Sequence, residues 1–191
     1  MIFFSRAAAK RALGDYPLMR CNRRVVDCWL SLWEGDEFPR RADFDPQMVP
    51  AEIPGLMVQE IKKGAYVRVR QSGKSVNQAF GRDMTGRDIL ELSPPDERAP
   101  RRERNDPVAD GAASYCVRSA NMPDGTVAVS QEVQLPFRDI TPDGARLVLF
   151  HTSWRAVPSE SALADLQNLL RSPIAFRVIP LTSPKIAVNR A

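Results

Sequence analysis

Thiol and imidazole chemistry is scarce in this sequence, with three cysteines and one histidine among 191 residues. Cys21, Cys28 and Cys116 form no Cys-x-x-Cys pair and leave an odd count. That excludes a disulfide framework and a zinc site legible from spacing, and it points to a reducing, cytoplasmic compartment. Runs of about 18 apolar residues are missing, which excludes a membrane-spanning helix of the usual kind. Charge breaks the segment Met1-Ile2-Phe3-Phe4-Ser5-Arg6 before an export leader could form, so none is expected. Positive charge is in small surplus, 27 Lys and Arg against 23 Asp and Glu for a net +4, and it is scattered. A nucleic-acid surface calls for a concentrated basic face, so the balance argues against one. Also missing are a Gly-x-Ser-x-Gly elbow, a Walker lysine and a Rossmann glycine spacing.

What is present suits one soluble domain with extensions: 43% hydrophobic and 26% charged residues. Residues 1–21 read as a polar extension, helical or frayed, with Arg6, Lys10, Arg11 and Arg20 around three alanines. In 22–54, Val25, Trp29, Leu32 and Trp33 fall at the i, i+4, i+7, i+8 spacing of an amphipathic helix, with Gly35 as its stop. A crossing with Pro39, Pro46, Pro50 and Pro54 follows, in which Asp45-Pro46 is placed to cap a short turn.

The segment 55–155 reads as the core. Residues 56–61 and 65–70 form two strands around Lys62-Lys63-Gly64, the second alternating Ala65, Val67, Val69 against Tyr66, Arg68, Arg70. Short helices broken by Gly81 and Gly86 occupy 73–92, and residues 93–114 read as a charged, proline-bearing stretch with a helix near 106–113. Three strands then form a meander: 115–122, 126–137 after Pro123-Asp124-Gly125, and 145–154 after Thr141-Pro142-Asp143-Gly144. In the middle strand Val127, Val129, Val133, Leu135 and Phe137 share one face, opposite Ala128, Ser130, Glu132 and Gln134. In the remainder, 156–191, a helix is predicted over 161–171 from Leu163, Leu166 and Leu170, with Ser159 as its cap. The segment 174–179 reads either as a short added strand or as chain lying across the surface. The expectation is an α+β fold, a five-stranded antiparallel sheet with the 76–92 helices on one face and a ligand-sized gap between.

The words Trp29-x-x-Leu32, Phe38-Pro39-Arg40-Arg41-Ala42-Asp43-Phe44-Asp45-Pro46, Phe80-Gly81-Arg82-Asp83-Met84-Thr85-Gly86-Arg87 and Leu135-Pro136-Phe137 resemble a family of small bacterial PAS-like domains, abundant in alphaproteobacteria. The resemblance covers residues 25–155. It departs at Val69-Arg70-Gln71-Ser72-Gly73, which keeps the Arg and Gly but lacks the usual aromatic and Leu. It implies a PAS fold and a sensory or regulatory role. The flavin-reactive cysteine of light-sensing relatives stands in an Asn-Cys-Arg word, which Tyr115-Cys116-Val117 does not match, and no cofactor is named by the residues.

On this reading an apolar cavity lies between sheet and helices, lined from Val69, Phe80, Met84, Ile89, Val133, Leu149 and His151. His151 reads as a structural polar residue rather than a haem ligand or general base, and sharing a strand face with Leu147 and Leu149 it is placed to line the pocket. Val25, Trp29, Leu32 and Trp33 offer so much apolar area that they serve either a homodimer or the protein's own sheet. Arg41 and Asp43 read as hydrogen-bonding anchors of the proline-rich crossing rather than an anion site. The expected function is non-enzymatic: a sensory module that binds a small ligand or a signalling partner and acts by dimerisation or docking. A ligand-free interaction scaffold and a small enzyme with an unrecognised site are the alternatives.

Overall fold

The computed structural model describes residues 5–14, 16–35, 37–121, 127–157 and 176–179. Helices α1 (Arg6–Gly14) and α2 (Arg20–Ser31) lead into three 3-10 turns, Arg41–Asp43, Pro46–Met48 and Pro50–Gly55. Strands β1 (Leu56–Lys62) and β2 (Tyr66–Ser72) come next. Helices α3 (Lys74–Phe80), α4 (Ile89–Leu92) and α5 (Pro95–Ala109) separate them from β3 (Ala113–Asn121), β4 (Val127–Ile140), β5 (Arg146–Val157) and β6 (Phe176–Ile179). All pairings are antiparallel, in the order β2-β1-β5-β4-β3-β6. The fold is thus α+β with an open antiparallel sheet. The five expected strands are extended by β6 along the edge of β3.

The turns follow from local chemistry. Asp45 accepts a hydrogen bond from the Gln47 N–H (2.9 Å) with Pro46 at the first helical position. Thr141 and Ala145 close the β4–β5 turn (2.7 Å), and Gly144 there adopts φ +87°. The Phe80–Arg87 word is an Asx-rich clamp. Gly81 ends α3 in the left-handed region, and Asn77 Oδ1 accepts from Met84 N–H (3.0 Å). The Gly86 N–H then donates to Val69 O (2.7 Å), fastening the insert to β2. A Cβ on Gly73 would meet the Ile53 and Pro54 carbonyl oxygens at 2.4 Å, so only glycine admits this close backbone approach.

Residues 93–114 differ from expectation: most of the stretch is one 15-residue helix, α5, running through Pro100 and Pro107. Pro95 opens it at the first position, where its missing N–H costs nothing. The carbonyls that Pro100 and Pro107 leave without a helical donor belong to Asp96 and Glu103, both exposed, so water can satisfy them. The Pro123-Asp124-Gly125 turn and the predicted 161–171 helix with its Ser159 cap lie outside the described residues.

Both faces of the sheet are covered. On one, α1 and α2 pack on Tyr115, Val117, Val129, Val133, Leu135, Phe137 and Leu149. On the other lie α3, α4 and α5, over Met57, Ile61, Val67, Val69, Val148 and Phe150.

Candidate functional site

The β4 alternation decides what each face carries. Its apolar residues, Val129, Val133, Leu135 and Phe137, point to α2. Its polar alternates point to the helical insert, where register aligns them in rows across the sheet. Cys116, Glu132 and Thr152 form one row; Ser114, Gln134, Phe150 and Met57 form the next. Between this face and α3–α5 lies a cavity of about 280 Å³. One wall is apolar: Met57, Val76, Ala79, Phe80, Ile89 and Phe150, with Trp154 adjoining. The opposite wall is polar: Arg101, Arg104 and Asn105 from α5, Arg118 and Cys116 from β3, Glu132 and Gln134 from β4.

The polar wall is partly self-satisfied. Gln134 donates to Gln59 Oε1 and Asn105 Oδ1, both at 2.9 Å, and accepts from Ser114 Oγ at 2.5 Å. Arg101 grips Glu97 (2.6 and 2.9 Å), and Arg118 faces Glu132 at 3.4 Å. Burial raises the Glu132 pKa, against the pull of the three arginines. Burial also raises the Cys116 thiol, with Glu132 adding to the effect, so Cys116 is a protonated thiol and a poor nucleophile. The Arg104 pKa is lowered by desolvation and then by repulsion from Arg118 and Arg101. Thr152 Oγ1 is buried without a hydrogen-bond partner among the described residues.

Of the residues expected to line the cavity, Phe80 and Ile89 do so. Val69 and Met84 are buried in the packing behind the apolar wall. Val133, Leu149 and His151 lie elsewhere, on the opposite face beneath α2. The expectation took the more apolar strand face to be the cavity face, whereas that face is occupied by the tryptophan-bearing helix. The polar wall was not foreseen. Its signal was the Ser130, Glu132, Gln134 alternation, unusual for a buried strand.

His151 is instead a strut. It is almost fully buried, and its Nδ1–H donates to Asn22 Oδ1, since an amide oxygen only accepts. Asn22 Nδ2 in turn donates to Gln131 O, Gln131 Oε1 and Ser153 Oγ at 2.9–3.1 Å. Gln131 continues the network to Pro17 O and the Tyr115 hydroxyl. Desolvation lowers the His151 pKa to about 4, against a small opposing pull from Glu52.

The residues of α2 and its C-terminal end that read as a dimer surface are also internal. Val25, Trp29 and Trp33 are buried and Leu32 is half-buried. Trp33 meets Trp29 and Phe38 edge to face and Trp29 lies tilted against Phe38, with ring centroids 5.2–6.2 Å apart, and Trp29 Nε1 donates to Pro136 O (3.1 Å). Arg41 and Asp43 anchor the crossing: Arg41 reaches Phe44 O and Gln71 Oε1 (both 2.9 Å), and Asp43 accepts from Arg40 N–H (3.0 Å).

An open antiparallel sheet carrying a helix-roofed cavity on one face is the architecture of a PAS-type module. The PAS domain family model matches residues 19–148, and the chain belongs to that family. Two solved structures are similar at lower levels. One is of the Vibrio cholerae VqmA dimer in the absence of target DNA (16% identity, TM-score 0.40, covering 59% of this chain and 52% of that one). The other is of a light-oxygen-voltage domain studied with a flavin analogue (16% identity, TM-score 0.40, 64% and 90%). The chain thus spans about half of the VqmA chain. No curated protein matches the sequence. PAS domains are generally sensory rather than catalytic, and among the described residues no helix is long and apolar enough to cross a membrane.

Proposed function

We propose that this chain is a sensory module whose cavity binds a small molecule, and that occupancy is passed on by dimerisation or by docking on a signalling protein. The cavity between sheet and insert carries this reading: its roof is three short or proline-bearing helices, the first two joined through Gly81 and Gly86, and its walls combine an apolar side with convergent polar groups. We place the ligand-binding core at 55–155, with the helix and proline-rich crossing of 22–54 packed on its sheet and 1–21 and 156–191 as extensions. Free thiols at Cys21, Cys28 and Cys116 support a cytoplasmic setting. A non-enzymatic role is supported by the family.

Native mass spectrometry of the purified full chain tests the proposal. We expect a retained small molecule, or a thermal shift with one, that the cavity-filling variant Ala79→Trp abolishes while remaining folded. Wild-type protein that is empty and unshifted by any small molecule would favour the ligand-free scaffold. Turnover of the bound molecule would favour an enzyme.

A further inference from the structure

We propose that the cavity takes a small monoanionic carboxylate with an apolar body, its carboxylate on Arg104 and its body between Phe80 and Phe150. This rests on the ligand-binding reading above and goes one step further, to the charge and shape of the ligand. Three guanidiniums, Arg101, Arg104 and Arg118, converge on one wall. Two have carboxylate partners inside the protein: Glu97 holds Arg101 and Glu132 holds Arg118. Arg104 has neither a hydrogen bond nor an ion pair within 4 Å among the described residues and feels only the longer-range pull of Glu97 and Glu132, so the three guanidiniums outnumber the two carboxylates by one. A half-enclosed guanidinium held beside two like charges is costly, and a single anion removes that cost by forming charge-assisted hydrogen bonds in a planar fork.

The rest of the cavity limits what carries the anion. Thr152 Oγ1, buried and unpartnered on the floor, offers one further hydroxyl for a polar end. Beyond it the floor turns apolar at Phe150 and Met57, and Phe80 closes over that end from α3 while 44% exposed. An inorganic anion would leave this side dry and empty, whereas a neutral apolar ligand would leave Arg104 unpaired. The volume of about 280 Å³ stands at the low end of ligand pockets, which suits a body no larger than one ring or a short chain.

Isothermal titration calorimetry on the full chain tests this with phenylacetate and hexanoate against their neutral amides, phenylacetamide and hexanamide. We expect the carboxylates to bind at least about tenfold more tightly than the amides. Arg104→Gln should remove most of that preference, and Arg104→Lys should restore part of it. Because Arg104 holds no internal partner, both variants should melt within a few degrees of the wild type, which circular dichroism checks. Phe80→Ala should weaken acids and amides alike. Amides that bind as well as acids, or an unchanged preference in Arg104→Gln, would overturn the anion assignment while leaving a ligand-binding cavity intact. Failure of both carboxylates to bind overturns it as well, and a molecule retained in the native mass spectrum would then show that the broader reading survives.

Discussion

His151 shows how one residue's chemistry is set by where its strand face lands. Buried beneath α2, it is neutral in the fold with a pKa of about 4, whereas in the unfolded chain it titrates near 6.5. As pH falls below 6.5 the unfolded chain takes up the proton first, so this contribution to stability drops and levels off only below about 4. The full difference corresponds to roughly 3 kcal/mol. Urea melts at about pH 7 and about pH 5 should show the wild type losing about 2 kcal/mol more than His151→Gln, in which no imidazole titrates. Equal losses in the two proteins would mean that His151 is protonated, or solvated, in the native state.

At the scale of elements, α2 is a wall of the domain rather than an appendage. Trp29, with Trp33 just past the helix end, packs against Phe38 and the sheet, and Asn22 near its start is tied into the Gln131–Ser153–His151 network. Trp29→Ala should therefore cost about 3–5 kcal/mol of stability, read as a lower urea midpoint. Sedimentation of the molecules that stay folded should be unchanged. A variant as stable as wild type but altered in its association state would return Trp29 to an interface. Helix α5 teaches a related point. Two internal prolines argue against a helix in the linear sequence, but they leave unpaired only carbonyls of exposed residues, while Val108 is buried against Ile61 and Val148. Packing of that one side outweighs the lost backbone hydrogen bonds.

At the scale of the whole molecule, rigidity is unequal. Strands β1, β5 and β4 are paired on both sides and sandwiched between two helical layers, whereas α3 and α4 are helices of 7 and 4 residues roofing a cavity. Local opening needs least free energy where few buried groups are exposed by it. Hydrogen exchange should thus be slowest in β4 and β5 and fastest, among the roof and the sheet, in α3 and α4. A ligand should protect the roof much more than the strands. Uniform exchange across roof and sheet would remove the mechanical basis for a roof that reports occupancy.

Much of this architecture was legible one segment at a time. Alternation in 65–70 and 126–137 marks strands, Asp45-Pro46 and Thr141–Gly144 mark turns, and Val25, Trp29 and Trp33 mark a helix face, because the steric rules behind them act over a few residues. The words around Phe38 and Phe80 sufficed for the family, since each encodes a local clamp whose hydrogen bonds the structure displays. What the sequence could not decide was which layer covers which strand face. A strand has two faces, and alternation says that they differ without saying what lies on each. Only the tertiary structure put α2 over the apolar face, moved Val133, Leu149 and His151 away from the cavity, and left Ser114, Glu132 and Gln134 to build its wall. Only it brought Arg104 from α5 beside Arg118 from β3, because a polar site made from separate elements exists only once long-range packing has brought them together.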